Sequence, residues 1–224
     1  MSAAREEILG RIRSGLGRGP LGASEKAALD ARLAAHRRNL VPARAASLDH
    51  QAQLELFIAM AREVDATLTR TKAAEVPAAV AHYLAEHNFP SRVVMTPDPA
   101  LDEYPWQTVP MLEIRRGRAA DGDAASVTAC FAAIAETGTL MLLSGPARPT
   151  SNNFLPDTHI VVLRAEQVVA AYEDAFERLR AGALPRTVNF ITGPSRTADI
   201  EQRLELGMHG PRRLHILLVD EAPA

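Results

Sequence analysis

The sequence holds a single cysteine, Cys130. A disulfide within the chain is therefore excluded, and so is a zinc or iron–sulfur site built from cysteines alone. Aromatic residues make up only 4% of the chain, with no basic–aromatic stripe on which single-stranded nucleic acid could stack. No run approaches the length of apolar sequence that crosses a membrane as a helix. The opening stretch MSAAREEILGRIRSG carries acids early and no long apolar core, so it does not read as a signal peptide. A cytoplasmic location is the default expectation. Neither sign of charge dominates: 25 Lys and Arg face 27 Asp and Glu, a formal net charge of -2, which demands neither nucleic acid nor an anionic membrane. A Walker A lysine motif, Gly-x-Gly-x-x-Gly and Gly-x-Ser-x-Gly are all missing. His159 and His209 stand outside any His-x-x-x-His or Glu-x-x-His grouping, so a metal site has no support.

What is present is an ordinary globular composition, 47% apolar over 224 residues. Residues 1–50 contain nine Lys or Arg and five Asp or Glu, a mildly basic arm on an acidic body. Three helical patterns come first. REEILGRIRSGL carries Ile8, Leu9 and Ile12 on one side, SEKAALDARLAAHRRNL has Ser24 as its expected N-cap, and DHQAQLELFIAMAREVDA spaces Leu54, Phe57, Ile58 and Ala61 for a buried face. They form an expected N-terminal helical arm over residues 1–65.

From residue 66 to 224 the rhythm changes to short apolar strands between helices. ATLTRT, SRVVMT, ASVTA, TGTLMLLS, THIVVL, RTVNFI and RLHILLVD read as strands. EVPAAVAHYLAEHN, CFAAIAE, AEQVVAAYEDAFERLRAG and TADIEQRLELGMH read as helices. Continuous apolar strands alternating with helices predict an α/β fold: a mostly parallel sheet with helices on both faces, preceded by the N-terminal helices. Cys130, in SVTACFAAIA, reads as a buried, inert thiol.

Three polar clusters fall near strand ends, where parallel sheets bind ligands. The first is Glu136, Thr137, Gly138 and Thr139, with Ser144, Gly145 and Pro146 after the following strand. Glu136, between two apolar runs, is a candidate catalytic carboxylate; the alternative is a brace accepting backbone N–H groups of Thr137–Thr139. The second is Asp157, Thr158 and His159. The third is Gly193, Pro194, Ser195, Arg196 and Thr197, where a strand is expected to become a helix. Gly193 and Pro194 shape the turn, Ser195 or Thr197 caps the helix, and free N–H groups with Arg196 present an anion site. The helix dipole supplies roughly 0.3–1 kcal/mol and Arg196 about 1.5–3 kcal/mol, so tight binding needs further groups. The alternative is a capped helix with Arg196 paired to an acid such as Glu201.

AIAETGTLMLLSGP, FLPDTHIVVL and ITGPSRTADIEQRLELGMHGPRRLHILLVD resemble the lactate utilisation protein C family, the single-domain branch of the LUD-domain (DUF162) proteins. The resemblance covers roughly residues 126–220, while RPTSNNF between the first two motifs is less typical. It implies a LUD domain over 66–224 with a Rossmann-like, NagB/RpiA/CoA-transferase-like sheet. It also implies a place in L-lactate oxidation to pyruvate, beside iron–sulfur oxidoreductase subunits. The clusters are then expected in those partners, with no cofactor in this chain. Two expectations follow. One is a complex subunit that lacks cluster ligands and binds a small carboxylate or phosphate. The other is a free-standing enzyme or sensor for a small anion of acyl-CoA, sugar-phosphate or folate type. Whether the chain forms a homo-oligomer is left open.

Overall fold

The structure is a computed structural model that describes residues 3–39, 41–197 and 205–220. The chain forms two compact units, 1–39 and 40–224. The first contains α1 (Ala3–Gly15) and α2 (Ala23–Ala35), and neither helix buries a residue. The N-cap of α2 is Gly22 rather than Ser24, and its N–H donates to Glu25 Oε2 at 3.0 Å. Glu at the third helical position reaches back to the cap, which fixes the start two residues earlier than the Ser24 pattern suggests.

The second unit runs α3 (Ala43–Ala46), α4 (His50–Glu63), β1 (Thr67–Thr71), α5 (Val76–Glu86), β2 (Arg92–Met95), α6 (Pro99–Asp102), β3 (Glu113–Arg116), β4 (Ala125–Ala129), β5 (Ala132–Ile134), β6 (Thr139–Leu143), α7 (Ser151–Phe154), β7 (Thr158–Arg164), β8 (Val168–Val169), α8 (Tyr172–Arg180), β9 (Val188–Ile191), β10 (Arg196–Thr197), β11 (Glu205–Leu206) and β12 (Arg213–Val219). Its centre is a six-stranded sheet in the order β1-β12-β7-β4-β2-β3, with every neighbouring pair parallel.

This sheet is buried on both faces, as the continuous apolar strands require. On one face Leu214, Ile216 and Leu218 of β12 and Val161 and Leu163 of β7 pack with Leu54, Phe57, Ile58 and Ala61 of α4. On the other, Leu217, Val219, Ile160 and Val162 pack with Val76, Val80 and Leu84 of α5. The α4 helix, grouped with the arm on sequence pattern, is part of this core. Asp49 caps it, accepting from the Ala52 N–H at 2.8 Å, and its four apolar residues recur on one side.

Three expected helices and one expected loop come out differently. CFAAIAE contains β5, which pairs antiparallel with β6 and parallel with β8 in a second sheet ordered β8-β5-β6-β9. The run is too short and too uniformly apolar for periodicity to separate strand from helix, and strand pairing decides. AEQVVAAYEDAFERLRAG yields a 3-10 turn, then β8, and becomes helical only at Tyr172. At the C-terminal stretch, Arg196–Thr197 and Glu205–Leu206 form an antiparallel ribbon. The expected helix therefore does not begin at Ser195–Thr197 and does not run through Glu205–Leu206; the rest of it, 198–204, lies outside the described residues. PDPALDEYPW, expected as a loop, holds the single turn α6, capped by Asp98.

Candidate functional site

The hairpin of β5 and β6 carries polar groups at both ends. Its turn, residues 135–138, holds Glu136, which is 6% exposed. The Glu136 N–H donates to the Ala170 carbonyl at 3.2 Å, and its own carbonyl accepts from Arg44 Nη2. The turn is thus fixed through the backbone of Glu136. Its carboxylate oxygen Oε2 is buried without a partner among the described residues, unlike a brace that accepts N–H groups from Thr137–Thr139. Beside it the hydroxyls of Thr137, Thr139 and Thr192 form a chain, with Thr137 Oγ1 to Thr139 Oγ1 at 2.8 Å and Thr139 Oγ1 to Thr192 Oγ1 at 2.7 Å. The Tyr172 hydroxyl donates to Thr139 Oγ1 at 3.1 Å.

Gly138 explains how the turn is seated. Its φ is +65°, and a Cβ there would stand 2.4 Å from the Ala61 nitrogen, so the turn lies directly on the α4 backbone. Gly193, at φ +87°, approaches the same helix end, 2.5 Å from the Val64 carbonyl by the same measure. Arg196 pairs with Asp65, just past α4; the expected partner Glu201 lies outside the described residues. The Ser195 N–H donates to the Pro211 carbonyl at 2.8 Å, and Ser195 Oγ accepts from the His209 N–H at 3.3 Å. Pro194 has no N–H to offer. Glu136–Thr139 of the first cluster and the third cluster, 54 or more residues apart in the chain, therefore meet at the carboxyl end of α4. There Ser195 and Arg196 bond to other parts of the protein, and Thr197 continues into β10.

The other predicted residues sit elsewhere. Ser144 Oγ accepts from the Thr187 N–H at 2.8 Å, and Gly145 bridges to Arg148. Both follow β6, at the opposite end of the hairpin from Glu136. Asp157, Thr158 and His159 lie at the start of β7, the amino edge of the sheet. Asp157 is exposed and 3.9 Å from Arg212 Nε. Thr158 and His159 are fully buried. His159 Nε2 contacts Thr128 Oγ1 at 2.7 Å, while Nδ1 has no partner among the described residues. Burial pushes the His159 pKa down to about 3, so the ring is neutral. Cys130, 5% exposed, has its thiol pushed up to about 12 by burial, in keeping with an inert structural thiol.

Sequence reasoning missed a group at the carboxyl edge of the sheet. Asp98, after β2, is 2% exposed, and its carboxylate is gripped by Arg148 through Nε and, at 3.2 Å, through Nη2. The carboxylate holds the guanidinium pKa above its ordinary value. Thr96, Thr128 and Asn153 line the same hollow, and Thr96 Oγ1 is buried without a partner among the described residues. The sequence signals were slight: an Asp before a Pro, and an Arg in the less typical RPTSNNF. A second, larger cleft of about 520 Å³ lies at the ends of β1, β7 and β12. Its charges are mutually paired, Arg70 with Asp220 at 2.8 Å and Glu55 at 3.0 Å, and Arg164 with Glu166 at 3.1 Å.

Comparison with known proteins agrees with this architecture. The LUD domain family matches residues 54–219, which begins inside α4 and ends with β12. The lactate utilization protein C of Deinococcus radiodurans is 34% identical over 161 residues, 69% of this chain and 73% of that one. The lactate utilization protein C of a Geobacillus species is 29% identical over 189 residues, 75% of this chain and 78% of that one. The crystal structure of a DUF162 family protein from Deinococcus radiodurans superposes with a TM-score of 0.59 at 30% identity, covering 77% of this chain and 99% of the other. With the family match spanning most of the chain and relatives of this similarity, the protein belongs to the LUD domain family.

Proposed function

We propose that this protein serves lactate utilisation as a subunit that carries no cluster of its own, working beside iron–sulfur partners that oxidise lactate to pyruvate. The observation that carries the reading is the 34% identity to a lactate utilization protein C over most of both chains. The cysteine count supports the division of labour, since a cubane or rhombic cluster usually takes four thiolates and Cys130 is one, buried among Ala132, Met141 and the sheet. The chain's own contribution is to bind and to dock rather than to transfer electrons.

The test is genetic first. Deleting the gene in its host should abolish growth on L-lactate as sole carbon source, with growth on glucose retained and rescue by the intact gene. Undiminished growth on L-lactate would overturn the reading. Tagged protein from lactate-grown cells should then co-purify with iron–sulfur absorbance and lactate oxidation. Loss of growth with no cluster protein in the eluate would keep the lactate role and remove the subunit assignment.

A further inference from the structure

Antiparallel strands turn their backbone N–H and C=O groups alternately to one neighbour and then to the other. In the β8-β5-β6-β9 sheet the register pairs Leu142 with Asn189 and Leu140 with Ile191. The Ser144 N–H donates to the Thr187 carbonyl at 3.0 Å, which fixes the phase of the ladder. The backbone groups of Thr187, Asn189 and Ile191 therefore face β6, and those of Val188 and Phe190 face away from it. Among the described residues β9 has a neighbouring strand on one side only. Its outer side is open: Thr187, Phe190 and Thr192 are exposed, Phe190 by 38%.

An open edge invites a further strand, and proteins guard such edges with charge, brevity or cover. The other edges of the two larger sheets are guarded. β3 carries exposed Glu113, Arg115 and Arg116. β1 carries Arg70, tied to Glu55 and Asp220. β8 is two buried valines. β9 has none of these guards, since TVNFIT, residues 187–192, contains no charge and no proline. The strand is also held in place from within. Val188 packs in the cluster with Ala175 and Leu179 of α8, and the Phe190 ring lies 5.4 Å from Tyr172 and 5.7 Å from Phe176. An edge already ordered in this way loses little freedom when another strand joins it.

We propose that β9 docks a second copy of this chain, β9 against β9, antiparallel about a two-fold axis at Asn189. Val188 of each copy then exchanges both backbone hydrogen bonds with Phe190 of the other, and the two four-stranded sheets become continuous. The register is self-complementary. Val188 meets Phe190, apolar against apolar. Thr187 meets Ile191, and exposed Arg186 meets Thr192, so no like charges oppose one another. An edge without charge gives a foreign strand nothing to be selected by, whereas the two-fold lays the apolar pattern on itself. Six residues a side make a short contact, so the dimer belongs to the weak, reversible class. The inference rests on register and exposure, independently of the lactate-utilisation reading.

Sedimentation equilibrium and directed cross-linking of the full-length protein test this. The wild type should pass reversibly from monomer to dimer with a Kd on the order of 10–100 µM. At the axis Asn189 faces its twin in a pair without backbone bonds, where Cα atoms stand about 4.5 Å apart, within the roughly 4.4–6.8 Å that a disulfide spans. Asn189→Cys should therefore oxidise to a covalent dimer. Thr187→Cys lies on the same strand but roughly 13 Å from its twin along it, and should not. The native thiol does not compete, because Cys130 is buried. Val188→Pro removes an outward N–H and no bond to β6, and should weaken the dimer on the order of tenfold or more. Should that variant fail to fold, the cysteine pair still decides. A wild-type protein still monomeric at about 1 mM, a dimer in which Asn189→Cys links no faster than Thr187→Cys, or one that a folded Val188→Pro leaves unchanged would each overturn the proposal.

Discussion

Replacing Gly138 by alanine should cost far more than the loss of one hydrogen atom suggests. Two terms contribute. The residue sits at φ +65°, where an L side chain costs about 1–2 kcal/mol. The new methyl would also stand 2.4 Å from the Ala61 nitrogen, 2.6 Å from the Met60 carbonyl carbon and 2.8 Å from Ala61 Cα. These are backbone atoms of a helix whose other side is buried in the main core, so they cannot swing aside as a side chain would. Overpacking of this kind costs about 1–3 kcal/mol. The sum, about 2–5 kcal/mol, is a large share of a typical domain's stability. It lowers Tm by roughly 4–20 °C for a chain of this size. Chemical denaturation of wild type, Gly138→Ala and Gly145→Ala measures it. Gly145 has nothing within 4 Å of its added methyl and no positive φ, so its variant should stay within about 0.5 kcal/mol of wild type. Should Gly138→Ala match Gly145→Ala, the turn holding Glu136 is not seated on α4, and the convergence of the two polar clusters there fails with it.

Stability should fall on acidification because two histidines are buried neutral. Burial holds His159 at about 3 and His215 at about 4, below the ordinary value of about 6.5 that the unfolded chain retains. Between those values the unfolded state binds protons that the folded state refuses. Each histidine therefore removes about 1.4 kcal/mol per pH unit as pH drops below about 6.5. A urea midpoint that holds steady from about pH 7 to about pH 5 would contradict this, and His159→Gln should flatten part of the slope. Cys130 should resist thiol reagents in the native protein and titrate as one thiol after unfolding; rapid native labelling would show that it is accessible. Arg196→Ala breaks a largely exposed pair with Asp65 and should cost no more than about 1 kcal/mol. A denaturation midpoint implying twice that would mean that the guanidinium does more than brace the loop.

Some of this was legible before any fold was known. The parallel strands announce themselves in THIVVL and RLHILLVD, because a strand buried on both faces needs apolar residues at consecutive positions. The packing of β7 and β12 shows both alternating sets in use. The helix α4 was legible for a related reason: Leu54, Phe57, Ile58 and Ala61 recur at the helical period. The inert character of Cys130 followed from its apolar neighbours. The motifs around Glu136, His159 and Arg196 identified the family, though not the part each residue plays.

What the chain alone could not decide is whatever depends on which segments meet. CFAAIAE satisfies helix and strand equally, and only pairing with β6 and β8 makes it a strand. Arg196 pairs with Asp65, 131 positions earlier, because the Gly193 loop packs on the end of α4, a partner that no local pattern announces. Asp98 and Arg148, 50 residues apart, carry no shared pattern. They become a pair because the loop after β6, in the second sheet, meets the carboxyl end of β2 in the first, and Thr96 Oγ1 is buried beside them without a partner among the described residues. Periodicity records how each segment is buried. Which polar groups converge, and which remain unsatisfied, is a property of the closed sheet.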